Sequence, residues 1–306
     1  MKLSLVLGIS LSFLSGQVFA QKYQAAAAGV RALNTANKGS FKTQNTSSCQ
    51  VLNLELERSN FCLMSSKKVG ENEYALQNAE SESLELAQQE KQINANTVEK
   101  RFVVANKGAA GPRKQIQPGL DANKINALYM LRVDPNVTTQ LKLKMGVGSA
   151  RLNFADVKLE NVDITGGFSD IWIDFEKLNG KRMPQFNLHN AAGNITVRYP
   201  ENANAEVLHI QNDMSSIKLV VGKNTMSSNN CILKTVRGPI WITIDKSQPI
   251  KLIVKKGMMA SFTPPKGFTK KSEDVYVNNA YLKTGGTKFL TITCATDLGS
   301  IEVVEE

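Results

Sequence analysis

The chain is poor in the residues that catalysis most often uses. Among its 306 residues there are two histidines, His189 and His209, and four cysteines. No Cys-x-x-Cys pair occurs and the histidines lie far from the cysteines, which argues against a zinc site. A two-histidine metal site would need further ligands beside it, and no metal or other cofactor is expected. No Gly-x-Ser-x-Gly elbow is present. The segment GVGSAR is not a G-x-G-x-x-G loop, and it leads into a strand rather than a helix, so it does not read as a nucleotide cradle. Beyond the first twenty residues no long apolar run exists, and no transmembrane helix is expected. The net charge is +10, but no DNA- or RNA-binding motif accompanies it, and nucleic acid is not an expected partner.

What is present begins with an export signature. Lys2, the apolar LSLVLGISLSFL and Val18-Phe19-Ala20 read as a signal peptide over residues 1–20, cleaved before Gln21. The expected location is periplasm, cell surface or secreted. Cysteines in an exported chain invite pairing. Cys49 and Cys62 flank a hairpin-like QVLNLELERSNF, while Cys231 and Cys294 sit at apolar-phase positions of strands. The simplest pairing is 49–62 with 231–294. Three connectivities exist, and four reduced thiols are the alternative. The charge is uneven. Residues 73–99 hold six glutamates against Lys91, whereas residues 234–271 hold nine basic residues against Asp245. A basic face of this kind suits an anionic surface, an acidic glycan or solvent.

Three segments follow the signal. Residues 21–40 are Ala-rich and polar, a frayed helix or a leader. Leu76, Ala79, Leu86 and Ile93 fall at helical spacing, and the spacing predicts one helix over 73–98, followed by a short strand, FVVA, at 102–105. Together 21–105 form a small α+β region. The Gly- and Pro-rich 106–121 reads as a linker. From 122 to 306 the pattern is almost wholly β, with period-2 alternation in LKLKM, IWIDF, ITVRY, IKLVV and IWITI.

Within that half, an apolar residue closes one strand and a β-former opens the next seven positions later. The pairs are Met145/Leu152, Ile164/Ile171, Leu188/Ile195, Ile210/Ile217, Leu233/Ile240 and Cys294/Ile301. The period of 22–24 residues predicts stacked strand–turn–strand coils, a β-solenoid or β-roll. The repeat weakens between 254 and 288, with an irregular hairpin expected over 263–279. If Ile171, Ile195, Ile217 and Ile240 stack, their outward neighbours form columns: Trp172, Thr196, Lys218, Trp241, and beside it Asp174, Arg198, Val220, Thr243. Asp174 then pairs with Arg198. The two tryptophans share one face about 14 Å apart, a surface suited to a sugar or a partner protein. The bland reading is that the N-terminal region covers this face.

The stretch 138–175, with Gly146 and Gly148 in its first turn and Gly166 and Gly167 in its second, resembles the bacterial toast-rack family. That group includes the C-terminal domain of cell-wall-stress response proteins and adhesin-like envelope domains. The likeness spans about 138–250 and is clearest over 138–221. It implies a β-roll with an envelope-sensing, scaffolding or binding role, and it brings no catalytic residue. The expected function is therefore that of an exported bacterial cell-envelope protein, a non-enzymatic scaffold, adhesin-like or binding module. Its site residues would be Trp172, Asp174, Arg198, Lys218 and Trp241, and its partner an envelope glycan, an anionic surface or a protein. The alternatives are a polysaccharide lyase or hydrolase on a β-helix, using carboxylates from among Asp156, Asp163, Asp170 and Asp174, or an envelope-stress sensor component.

Overall fold

A computed structural model describes residues 37–42, 49–77, 84–106, 128–223 and 230–306. The signal over 1–20, the leader up to 36 and nearly all of the 106–121 linker lie outside the described residues.

The fold is mainly β, one large mixed and largely parallel sheet. It opens with β1 (Asn37–Lys42), β2 (Cys49–Ser65), β3 (Glu71–Gln77), β4 (Leu84–Asn94), β5 (Thr97–Asn106) and β6 (Leu128–Val133). The central strands are β7 (Thr138–Asn153), β8 (Leu159–Asp174), β9 (Met183–Ala192), β10 (Ile195–Arg198), β11 (Ala205–Met214), β12 (Ile217–Val221), β13 (Asn230–Arg237) and β14 (Ile240–Ile244). The C-terminal part holds β15 (Ile250–Lys256), β16 (Ser261–Phe262), β17 (Phe268–Lys270), β18 (Val275–Asn278), the short helix α1 (Asn279–Lys283), β19 (Leu290–Leu298) and β20 (Ser300–Glu305).

The strands form two parallel ladders joined at a corner. One runs β5–β2–β7–β8–β9–β11–β13–β19–β15. The other runs β6–β2–β7–β8–β10–β12–β14–β20–β16. The long strands β2, β7 and β8 pass through the corner and serve both. Alternation explains the core. Ile164, Leu188, Ile210 and Leu233 are stacked in register on one ladder, and Ile171, Ile195, Ile217 and Ile240 on the other. All eight are buried, each contributing about 1.5–3 kcal/mol.

The seven-residue step thus marks the corner, with one adjustment. Ile164 pairs with Leu143 and Ile171 with Ala150, so the first in-register pair is Leu143/Ala150, two residues before Met145/Leu152. Leu54 and Phe61 continue the same rows into β2. The step also survives at Val254/Ser261, where β15 gives way to β16, and an antiparallel β17–β18 hairpin fills the irregular stretch after it.

Four expectations are corrected. The helix over 73–98 is absent among the described residues: 73–77 lie in β3, 84–94 in β4 and 97–98 in β5, with β4 and β5 forming an antiparallel hairpin. Ile93, counted toward the helical face, is exposed, while Val98, Phe102 and Val104 are buried at period 2. Buried Lys100, 3.8 Å from Glu90, interrupts that alternation in the sequence. The Asn94–Thr97 turn was the missed breaker. The 106–121 stretch does not separate two cores, because β2 on one side of it pairs with β7 on the other and their apolar residues share one cluster. Residues 50–61 are no hairpin, since β2 is a single strand of 17 residues. Finally, all four cysteines are free thiols. Cys49 and Cys62, thirteen residues apart on one strand, are separated by far more than the Cα spacing a disulfide tolerates. Cys231 faces Ile292 and Cys294 faces Leu233, a two-residue stagger that keeps the two thiols apart.

Candidate functional site

Strands β8, β10, β12 and β14 present their outward residues on one open face. Register sets Trp172 beside Thr196, Thr196 beside Lys218 and Lys218 beside Trp241. The second column runs Asp174, Arg198, Val220, Thr243. Both columns are those read from the stacking of the isoleucines. Trp241 and Lys218 are exposed and Trp172 is half-buried. Asp174 Oδ2 lies 3.2 Å from Arg198 Nη1.

Electrostatics divide the roles in this pair. Asp174 is buried, and burial raises its carboxyl pKa, with Arg198 opposing the shift. Arg198 is further fixed by Nη2 donating to Tyr199 Oη at 2.8 Å and by lying 4.9 Å from the Tyr199 ring centroid. Tyr199 adopts a left-handed backbone, φ 56°, which ends β10 and turns its ring back under the guanidinium. Asp174 and Arg198 are thus a packed structural pair that stiffens the edge of the face.

One residue of the face was missed. Arg151 pairs directly with Trp172 across β7 and β8, and its guanidinium lies 5.7 Å from the indole centroid. A cation over an aromatic face is attracted by the ring quadrupole. Reading the first coil as Leu143/Ala150 rather than Met145/Leu152 would have brought Arg151 into the column. The Trp172 Nε1 is shielded and meets no hydrogen-bond acceptor.

The carboxylates considered for acid–base work lie apart. Asp156 pairs with Lys177 at 2.7 Å. Asp163 stands on the other ladder beside Lys142 and Asn187. Asp170 accepts from the Asn194 backbone at the corner, 2.7 Å away. His189 lies in β9, with Nε2 2.9 Å from Asp213, and His209 is staggered from it on β11. Among the described residues no group of three or more His, Cys, Asp or Glu gathers as a metal cluster, and no helix is long and apolar enough to cross a membrane.

Fold and face together define a mainly β protein whose parallel ladder carries an aromatic and basic outer column. Residues 65–198 match the family described as the N-terminal domain of toast_rack, DUF2154. The match overlaps the expected likeness over 138–198 and reaches upstream to the end of β2. No curated protein matches the chain. Among solved structures, a candidate cell adhesion protein from Clostridium sporogenes aligns at 12% identity and a TM-score of 0.44, covering 88% of this chain and 99% of that one. A candidate adhesin from Bacteroides fragilis aligns at 9% identity and a TM-score of 0.37, covering 88% and 96%.

Proposed function

We propose that this chain is a non-enzymatic, adhesin-like binding module of the bacterial cell envelope, exported by its N-terminal signal, with its coils wound as a β-roll. The ligand surface is the column Arg151, Trp172, Lys218, Trp241, and the ligand is an envelope glycan. One observation carries this reading: both tryptophans of the chain share a single outer column, with a guanidinium against one and an ammonium beside the other. Trp172 and Trp241 are three strand spacings apart, about 14 Å. Sugar rings stack on such indole faces, and the interleaved Lys and Arg select for acidic sugars. The toast-rack match supports an envelope role. The dispersal of Asp156, Asp163, Asp170 and Asp174 over different faces favours binding over glycan cleavage, which needs two carboxylates across one bond.

The test is titration of purified acidic envelope polysaccharide fragments by calorimetry, with product release followed in parallel. Trp172→Ala and Trp241→Ala should each weaken binding about tenfold or more, as anchors of an interface do. Unchanged affinity in Trp241→Ala would remove the face from consideration. Depolymerisation by the wild type that Asp174→Ala abolishes would establish the enzyme instead.

A further inference from the structure

A second surface lies at the corner where the two ladders meet. Phe168 pairs with Ala192, Ala192 with Met214, Met214 with Arg237, and Arg237 with Leu298. The turn from Gly257 to Ala260 extends this row. Gly257 N–H donates to Thr296 O at 2.8 Å and Ser261 N–H to Gly299 O at 2.9 Å, which brings Met258 and Met259 to the corner beside Leu298. Ten large apolar side chains stand exposed among the described residues, and four of them are in this row: Phe168 at 54%, Met214 at 57%, Met258 at 105% and Met259 at 78%. Five strand spacings separate its ends, about 24 Å.

The row is apolar at its crest and basic at its sides. Arg237 sits within it, and Lys255 and Lys256, both exposed, lead into the Met258–Met259 turn. The acids nearby are Asp297, Asp213 and Asp170; Asp213 is already engaged by Gln211 at 2.9 Å and His189 at 2.9 Å, and Asp170 by the Asn194 N–H at 2.7 Å. An exposed apolar strip on a soluble fold marks an interaction site. Its four side chains offer on the order of 500 Å², against about 800 Å² per partner for a stable protein interface. A narrow crest of flexible methionines with flanking cations instead suits shallow insertion among lipid chains, with Lys and Arg at the headgroups.

We propose that this corner docks the protein edge-on to an anionic lipid surface. Met258, Met259, Met214 and Phe168 enter the headgroup–acyl boundary, and Arg237, Lys255 and Lys256 meet the lipid phosphates. The site is separate from the tryptophan column, and the two readings stand or fall independently.

The experiment is sedimentation of the full chain, expressed with export so that any N-terminal processing takes place, with phosphatidylcholine vesicles or phosphatidylglycerol-rich ones. The wild type should bind the anionic vesicles more tightly and lose affinity as salt rises. Met258→Asp combined with Met259→Asp should lower binding at least about tenfold. Lys255→Gln combined with Lys256→Gln should weaken binding several-fold on anionic vesicles alone, and Trp241→Ala should bind as the wild type does. The proposal is overturned if the wild type ignores both vesicle types or if the methionine variant binds undiminished. It is equally overturned if sedimentation without lipid shows a dimer that the methionine variant dissolves, since the crest then meets a second copy of the chain.

Discussion

Glu201 shows how one side chain sets a pH dependence. It lies in the 3-10 turn Pro200–Ala203, between Tyr199 and Asn204, both in the left-handed region. There it is buried and accepts the Gly222 N–H at 2.8 Å. Burial pushes its carboxyl up to about 7 from an ordinary 4.5, with nearby Asp245 adding to the rise. The folded protein therefore keeps a proton that the unfolded chain releases. This stabilisation is complete below the ordinary carboxyl range and is lost as pH rises through about 7, amounting to roughly 3 kcal/mol. Glu201→Gln should flatten the slope. Urea midpoints at about pH 5 and about pH 8 should fall for the wild type and not for the variant; parallel declines in both would refute the assignment. Nothing in Tyr-Pro-Glu-Asn-Ala distinguishes this glutamate from a solvated turn residue, because its burial depends on Gly222 two strands away. Asp174 and Arg198 could be paired in advance because each occupies a fixed phase of a strand whose register the isoleucines define.

The corner is the element on which the ladders depend. Gly148 has φ 146°, and a Cβ on it would overlap the Ser59 carbonyl oxygen of the neighbouring strand. Asn190, Asn212 and Thr235 stack in register just inside the turn, fully buried. The Asn212 amide donates to the carbonyls of Gly193 at 2.8 Å and Ser216 at 2.9 Å, tying one turn to the next. Gly148→Ala must therefore both strain the backbone and push neighbouring strands apart. It should cost about 3 kcal/mol, seen as a lowered melting temperature with the β spectrum retained below it. A change within experimental error would mean that the corner gives way without strain. This element was legible because apolar residues mark both of its sides at a constant spacing. The asparagine row was not, since Asn inside a turn sequence looks the same whether it faces water or a buried carbonyl. The β4–β5 hairpin was misread for a related reason. Over 87–94 its Glu- and Gln-rich outer strand is exposed throughout and has no buried face to impose period 2, and Lys100 interrupts the alternation of Val98, Phe102 and Val104.

At the scale of the molecule, strand order departs from chain order at both ends. β2 lies between the β5–β6 coil and β7. The C-terminal coil, β19–β20, lies between β13–β14 and β15–β16. A seven-residue step marks where one strand turns into the next but carries no information on which strand pair is whose neighbour, and so this arrangement was invisible in the sequence. Removing residues 290–306 should withdraw an interior layer, leaving β13–β14 and β15–β16 each facing a gap. We expect loss of cooperative unfolding and rapid proteolysis throughout. A protected fragment spanning β7 to β14 after limited digestion would contradict this. The same arrangement bears on how such a chain can change over generations. A repeat protein with open ends gains or sheds units at its termini with little consequence. Here β2 and β19–β20 each lie inside the ladder, with β5 and β6 beyond the one and β15 and β16 beyond the other, so neither of these layers offers a free parallel edge. Duplication lengthens the ladder most simply between β8 and β14, where strand order follows chain order.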